Sequence, residues 1–324
     1  MPGPSPESVV ALAGGVGAAR LLAGVCAVVD PARITAVVNT GDDLSIHGLA
    51  VCPDLDTVTY TLAGETNPET GWGRAGETWQ AMAELRACSD GRLGWFNLGD
   101  RDLGVHLYRT TRLAEGASLT EVTAEIVARF GLGIRLLPMA DRRVATKVTL
   151  AEDGREVEFQ EYFVRLGHDV AVSAVRFDGV ETAGAGPGVL EAIAGAGVIV
   201  ICPSNPIVSI GPVLAVPGIA DAVAARRDRT VAVSPIVAGR ALKGPADRLL
   251  SELGHEPSVV GVARLWAPFA ASLVIDEADA KLSGAVEAEG VRCLVAPTVM
   301  SGPAEAAALA RVVLGDGGDA GGAR

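Results

Sequence analysis

The sequence predicts a doubly wound α/β domain on a mostly parallel sheet, and three observations lead there. Short runs that are apolar throughout, such as VVALA (9–13), ITAVVN (34–39) and VIVI (198–201), alternate with Ala-rich stretches of helical periodicity. A strand apolar on both faces needs helices over both, the pattern of a buried parallel sheet. The runs also end in clusters of Gly, Pro, Ser, Asn or Asp, and in a Rossmann-like sheet ligands sit beyond the carboxyl ends of the strands. Finally, 324 residues, 49% of them apolar, suffice for one large core.

In chain order, VVALA runs through GGVG into the helical AARLLAGVCAVV, and ITAVVN runs into NTGDDLSIHGLAVCPDLDTVTY (39–60). DTVTYTLAG reads as a helix after Pro53, with Asp54 as its cap. Helices are predicted over about 74–88 and 101–130. VATKVTLAEDGREVEFQEYFVRL alternates around a turn at Asp153-Gly154 and reads as a β-hairpin, with AVSAVRF (171–177) as a further strand. Residues 132–183 are therefore assigned to a smaller inserted α+β subdomain, between core segments 9–131 and 184–315. Later strands are predicted at VIVICPSNP, TVAVSPI (230–236), VVGVARL (259–265), SLVIDEAD (272–279) and CLVAP (293–297). The Gly-rich tail, 316–324, is expected to be disordered.

Composition narrows the function. A net charge of −12 argues against nucleic-acid partners, whose phosphates need basic stripes. No apolar stretch reaches membrane-span length, and MPGPSPES lacks the basic and apolar regions of a signal peptide, so a cytoplasmic location is expected. Five scattered cysteines without a CxxC speak against structural zinc or a disulfide framework. Lysine occurs only at Lys147, Lys243 and Lys281.

Five loops after strands carry the chemistry. Gly14, Gly15 and Gly17, with Arg20 following, let a backbone approach a ligand and offer helix N–H groups to an anion. A tight turn alone would also account for these glycines, and the spacing is neither a Walker A loop nor a full GxGxxG. Next come Asp42, Asp43, Asp54 and Asp56, four carboxylates in fifteen residues, which suit a magnesium ion shared with phosphate. His47 reads as a loop histidine. WFNLGDRDLGVHLYRT (95–110) brings Asp100, Asp102, His106 and two arginines, Arg101 and Arg109, that either reach phosphate or pair with the aspartates as a solvated face. CPSNPIVSIGP sets Ser204, Asn205 and Ser209 in a proline-stiffened cradle. SPIVAGRALKGPA places Lys243 beside a helix start, positioned for a phosphate. Their convergence on one sheet edge indicates a nucleotide-sized, phosphate-bearing ligand.

Taken together, GGVGAAR, NTGDD…GL.VCPDLDTVTYTL, GWG….TW, WFNLGDRD, FQEYFVR, PSNP.VSIGP and SPIV.G.ALKGPA resemble the 2-phospho-L-lactate transferase family of coenzyme F420 biosynthesis, called phosphoenolpyruvyl transferase in actinobacteria. The resemblance spans about 9–315. It implies an enzyme that moves a phospholactyl or phosphoenolpyruvyl group from a guanosine-diphosphate-activated donor to the deazaflavin Fo, releasing GMP. It further implies magnesium dependence and a homodimer. By position, the resemblance makes Asp43 the principal metal ligand with Asp42 second, sets Asp56 against Fo, and gives Gly14–Gly17 and the SNP loop to the guanosine diphosphate. Asn97 stands where archaeal members resemble one another in a basic residue that contacts Fo, so that contact must differ here. Ala18 and Arg20 also depart from the family pattern, though Arg20 remains a bidentate phosphate donor.

Two other classes compete on the residues alone. An NAD(P)-dependent oxidoreductase would use the glycine turn with Asp42 near the end of the second strand. A non-catalytic nucleotide-binding regulator would bind GDP without magnesium dependence.

Overall fold

The computed structural model describes residues 8–315, so the tail expected to be disordered lies outside the described residues. Seven strands form the central sheet: β1 (Val9–Ala13), β2 (Ile34–Val38), β3 (Arg135–Pro138), β4 (Val198–Ile201), β5 (Thr230–Val233), β6 (Ser272–Ile275) and β7 (Arg292–Val295). Their order is β7-β6-β5-β4-β1-β2-β3, and every neighbouring pair is parallel. The sheet is doubly wound, as the apolar runs require.

Side chains alternate between two apolar layers. Val10, Leu12, Ile199 and Ile201 enter one layer, and Val9, Ala11, Ala13 and Val200 enter the other. Helix α1 (Gly15–Val28) and the C-terminal helix Pro303–Val313 cover the second layer through Leu21, Leu22 and Leu309. The helices Val189–Gly195 and Val259–Trp266 cover the first. No helix among the described residues is long and apolar enough to cross a membrane.

Four sequence expectations change. VVGVARL is a helix: Ser258 accepts from the amides of Val260 and Gly261 at 3.2 Å, and Val259, Val262, Ala263 and Trp266 are buried at helical spacing. A short, valine-rich run gives both periods too little length to separate. The helix expected over 101–130 is two, α4 (Asp100–Ala114) and α5 (Leu119–Arg129), divided at Gly116 and restarted by a Ser118–Glu121 capping box. Before them, α2 is Pro53–Leu62 and α3 is Gln80–Cys88, so residues 74–79 form no helix. Finally, β3 was hidden inside the expected insertion, whose start moves beyond Pro138.

The insertion itself is the expected antiparallel sheet, with Ala145–Leu150 between Glu156–Glu158 and Val172–Asp178. It packs on the core through Val148, Phe159 and Tyr162 against Val208 and Leu249. That contact leans it over the carboxyl ends of the strands.

Candidate active site

Strand order reverses between β1 and β4, which opens a crevice at their carboxyl ends. A cavity of about 440 Å³ lies there. Its first wall is backbone. Gly14 is the N-cap of α1 and has no side chain to cap with, so the first-turn amides of Val16 and Gly17 lack intrahelical acceptors and line the cavity. Gly15 has φ of 69°, open to glycine at no steric cost. A Cβ on Gly17 would stand 2.3 Å from the Pro203 carbonyl oxygen, so only glycine lets the two loops meet. Ser204 Oγ donates to the Gly14 carbonyl at 2.7 Å and ties them together. Asn205 accepts from the amides of Ile207 and Val208, which shapes the turn that presents Ser209.

Asp54 does not cap its own helix, whose N-cap is Cys52. Its Oδ1 instead accepts the Gly15 amide of α1 at 2.8 Å, and its Oδ2 accepts from Asn39 at 2.9 Å. Burial nevertheless raises its pKa to about 6. Asp42, also on the cavity wall, is pushed well above the usual carboxylate range by burial and by the Asp54 charge. Asp43 is raised by burial too, against the pull of Cys52 and Arg109. Asp42 Oδ1 and Asp43 Oδ1 are both buried without a hydrogen-bond partner. Two orphaned carboxylate oxygens on consecutive residues fit a hard divalent cation.

The opposite wall is an ion network. Arg109, 2% exposed, donates through both terminal nitrogens to Asp56, with the Nη1 bond at 3.2 Å. His106 lies 3.2 Å from the same guanidinium and 3.3 Å from Asp102, which also accepts from Tyr60 at 2.5 Å. Burial opposes ionisation of Asp102, but the His106 and Tyr60 hydrogen bonds and nearby Arg109 hold its carboxyl below the usual range. Asp56, Asp102 and His106 bring ligand-type atoms within 4.8 Å of one another. Arg109 already neutralises Asp56 there, so the orphaned Asp42–Asp43 pair is the better cation site. The sequence left Arg109 between phosphate and a solvated face; the structure buries it against Asp56.

Of the residues singled out in the sequence, Gly14, Gly15, Gly17, Asp42, Asp56, Asn97, Ser204, Asn205, Ser209 and Lys243 line the one cavity. Asp43 sits just behind it. Arg20 is exposed, donates to the Met300 carbonyl at 3.2 Å, and is not on the cavity wall. Arg101 is spent on Ala75 and Glu65. Asn97 accepts from Arg86, so a cation stands behind this amide. His47 is an exposed turn residue, as expected. Sequence reasoning gave Phe159, Gln160 and Phe163 no place in the site, although they line the cavity wall; their segment read as a hairpin, and FQEYFVR served only as one of the stretches carrying the family resemblance.

A doubly wound sheet with free helix amides, orphaned carboxylates and a nucleotide-sized crevice at its switch point defines a phosphate-handling α/β enzyme. The chain belongs to the 2-phospho-L-lactate transferase family CofD, whose model matches residues 9–292. It is 47% identical to a phosphoenolpyruvate transferase of Kitasatospora aureofaciens, over 94% of this chain and 96% of that one. A phosphoenolpyruvate transferase of Mycolicibacterium smegmatis is 40% identical, over 94% of this chain and 97% of that one. A crystal structure of a UPF0052 family protein from Bacillus halodurans shares the fold, with a TM-score of 0.63 and 19% identity over 96% of this chain and all of that one. The chain is thus a transferase of coenzyme F420 biosynthesis.

Proposed function

We propose that this enzyme transfers a phosphoenolpyruvyl group from a guanosine-diphosphate-linked donor to the ribityl hydroxyl of the deazaflavin Fo, releasing GMP. The observation that carries the reading is the pairing, in one cavity, of free helix amides with the orphaned Asp42 oxygen, backed by the orphaned oxygen of Asp43 next to it in the chain. The relatives' names favour enolpyruvyl over lactyl as the group carried.

The hydroxyl oxygen bonds to the distal phosphorus, the bond from that phosphorus to the bridging oxygen breaks, and GMP leaves with the bridging oxygen. The hydroxyl proton passes to a carboxylate, for which Asp56, on the cavity wall, is the candidate. Val16 and Gly17 amides, the Ser204–Ser209 loop and Lys243 hold the diphosphate. Asp42 and Asp43 would hold magnesium, which supplies charge neutralisation at the phosphates. The rest is positioning and electrostatics, the usual sources of phosphoryl-transfer catalysis. A cytoplasmic homodimer completes the reading.

The test is a titration of Fo, followed by its own fluorescence, with GDP and magnesium present and absent. Saturable binding that tightens with both supports the transferase. Binding of NADH in place of Fo and GDP would return the chain to the oxidoreductase class, and GDP binding indifferent to magnesium to the regulator class.

A further inference from the structure

We propose that Gln160 reads the hydrogen-bonding edge of a planar heterocycle laid against an aromatic wall of the cavity, an inference that rests on the transferase reading above. The wall comes from the insertion: Phe159, Gln160, Phe163 and Val164 all line the cavity. It is rigid. The Phe159 and Phe163 rings stack at 5.4 Å and 19°, and Phe163 stacks on His168 at 4.9 Å and 15°. Behind them Tyr162 is fully buried, its hydroxyl accepting from Arg248 at 2.8 Å.

The backbone here is irregular. Glu161–Arg165 is a π-helical turn, a rare geometry that is frequent at functional sites. Gln160 stands at its N-cap, yet its side chain caps nothing. It is 7% exposed, and its amide makes no hydrogen bond to any described residue. No group among the described residues answers this amide, and it lies on the cavity lining. A packing residue at this position would be apolar. An amide on a cavity wall shared with phenyl rings offers two donors and an acceptor to the polar edge of a heterocycle resting against that wall.

Both substrates of the proposed reaction carry such a ring with adjoining N–H and C=O groups: the guanine of the donor and the deazaflavin of the acceptor. The shared chemistry is what Gln160 recognises, and binding experiments separate the two sources. Gln160→Met keeps the length of the side chain and removes the amide. GDP binding is measured by calorimetry and Fo binding by fluorescence, on wild type and variant, together with Tm.

The expected result is about tenfold weaker binding of one ligand, the other staying within about twofold, and a Tm unchanged or raised. Loss confined to GDP assigns the wall to guanine; loss confined to Fo assigns it to the deazaflavin. Gln160→Glu, which keeps the acceptor oxygen and replaces the N–H donors by a second oxygen, should weaken the same ligand. Wild-type binding of both ligands by Gln160→Met overturns the inference, and so does equal loss of both, the mark of a loosened cavity. Failure of the wild-type protein to bind either ligand overturns the transferase reading and this inference with it.

Discussion

The two ends of the cavity are built from different materials. The end formed by Gly14–Gly17 and Pro203–Ser209 is backbone: amides, glycines and small hydroxyls, with almost no side-chain charge. The end formed by Asp56, Asp102 and His106 is a polar side-chain network, with the buried Arg109 behind it. Backbone amides present a fixed partial charge and need no counterion when the ligand leaves. A buried ion network must satisfy itself in the empty state, which Arg109 does. Asp42 on the cavity wall and Asp43 behind it each keep one buried carboxylate oxygen without a hydrogen bond.

The largest effect should come from breaking the ion network. Arg109→Met strands Asp56 as an unpaired buried carboxylate and should destabilise the fold by about 3–5 kcal/mol in urea denaturation. Adding Asp56→Asn should recover most of that loss; a double variant no more stable than the single would show that packing, and not charge pairing, is what Arg109 provides.

The middle of the cavity should behave oppositely. Asp43→Asn removes a buried carboxylate that Cys52 and Arg109 offset only in part, so Tm should hold or rise while turnover drops about a hundredfold. Full turnover from that variant would remove Asp43 from the proposed metal site.

At the backbone end, Gly17→Ala forces a Cβ onto the Pro203 carbonyl and should be destabilising by about 1–3 kcal/mol. GDP affinity should fall with it while Fo affinity changes less, as titrations of both ligands would show.

The smallest effect is a pH dependence. The folded-state pKa of Asp54, raised from 3.8 to about 6, means that the native state holds this proton more tightly than the unfolded chain does. The contribution to stability is therefore full below about pH 4 and is lost as pH rises through about 6. In chelator, the Tm of wild type relative to Asp54→Asn should fall across that window. A difference flat in pH would mean that Asp54 ionises as it does in the unfolded chain.

The same division explains what could be read in the sequence. The glycine turn and the SNP loop were legible because their function is local: a strand end, a helix start, a φ only glycine takes freely. Asp42 and Asp43 were legible as a pair following β2. The Asp56–Arg109 bond joins residues 53 positions apart, and no spacing rule reaches that far. Asp54 looked like a cap for its own helix because the cap of another helix leaves no local trace. VVGVARL failed for want of length. Gln160 entered only within FQEYFVR, a stretch that marked the family without assigning the residue a role, since an amide in a hairpin reads as solvent-facing until the fold closes over it.

The segment between α2 and α3 has a further consequence. Arg74 fixes its stem, lying between the Tyr60 and Phe130 rings and paired with Glu65. Its tip, with the half-exposed Trp72 on the cavity rim, is tied across the cavity by Lys243, whose ammonium donates to the Thr70 carbonyl. That ammonium carries three N–H donors, so it can keep the Thr70 carbonyl and still meet a phosphate oxygen. The residue proposed to grip the nucleotide therefore also pins the rim that closes over it.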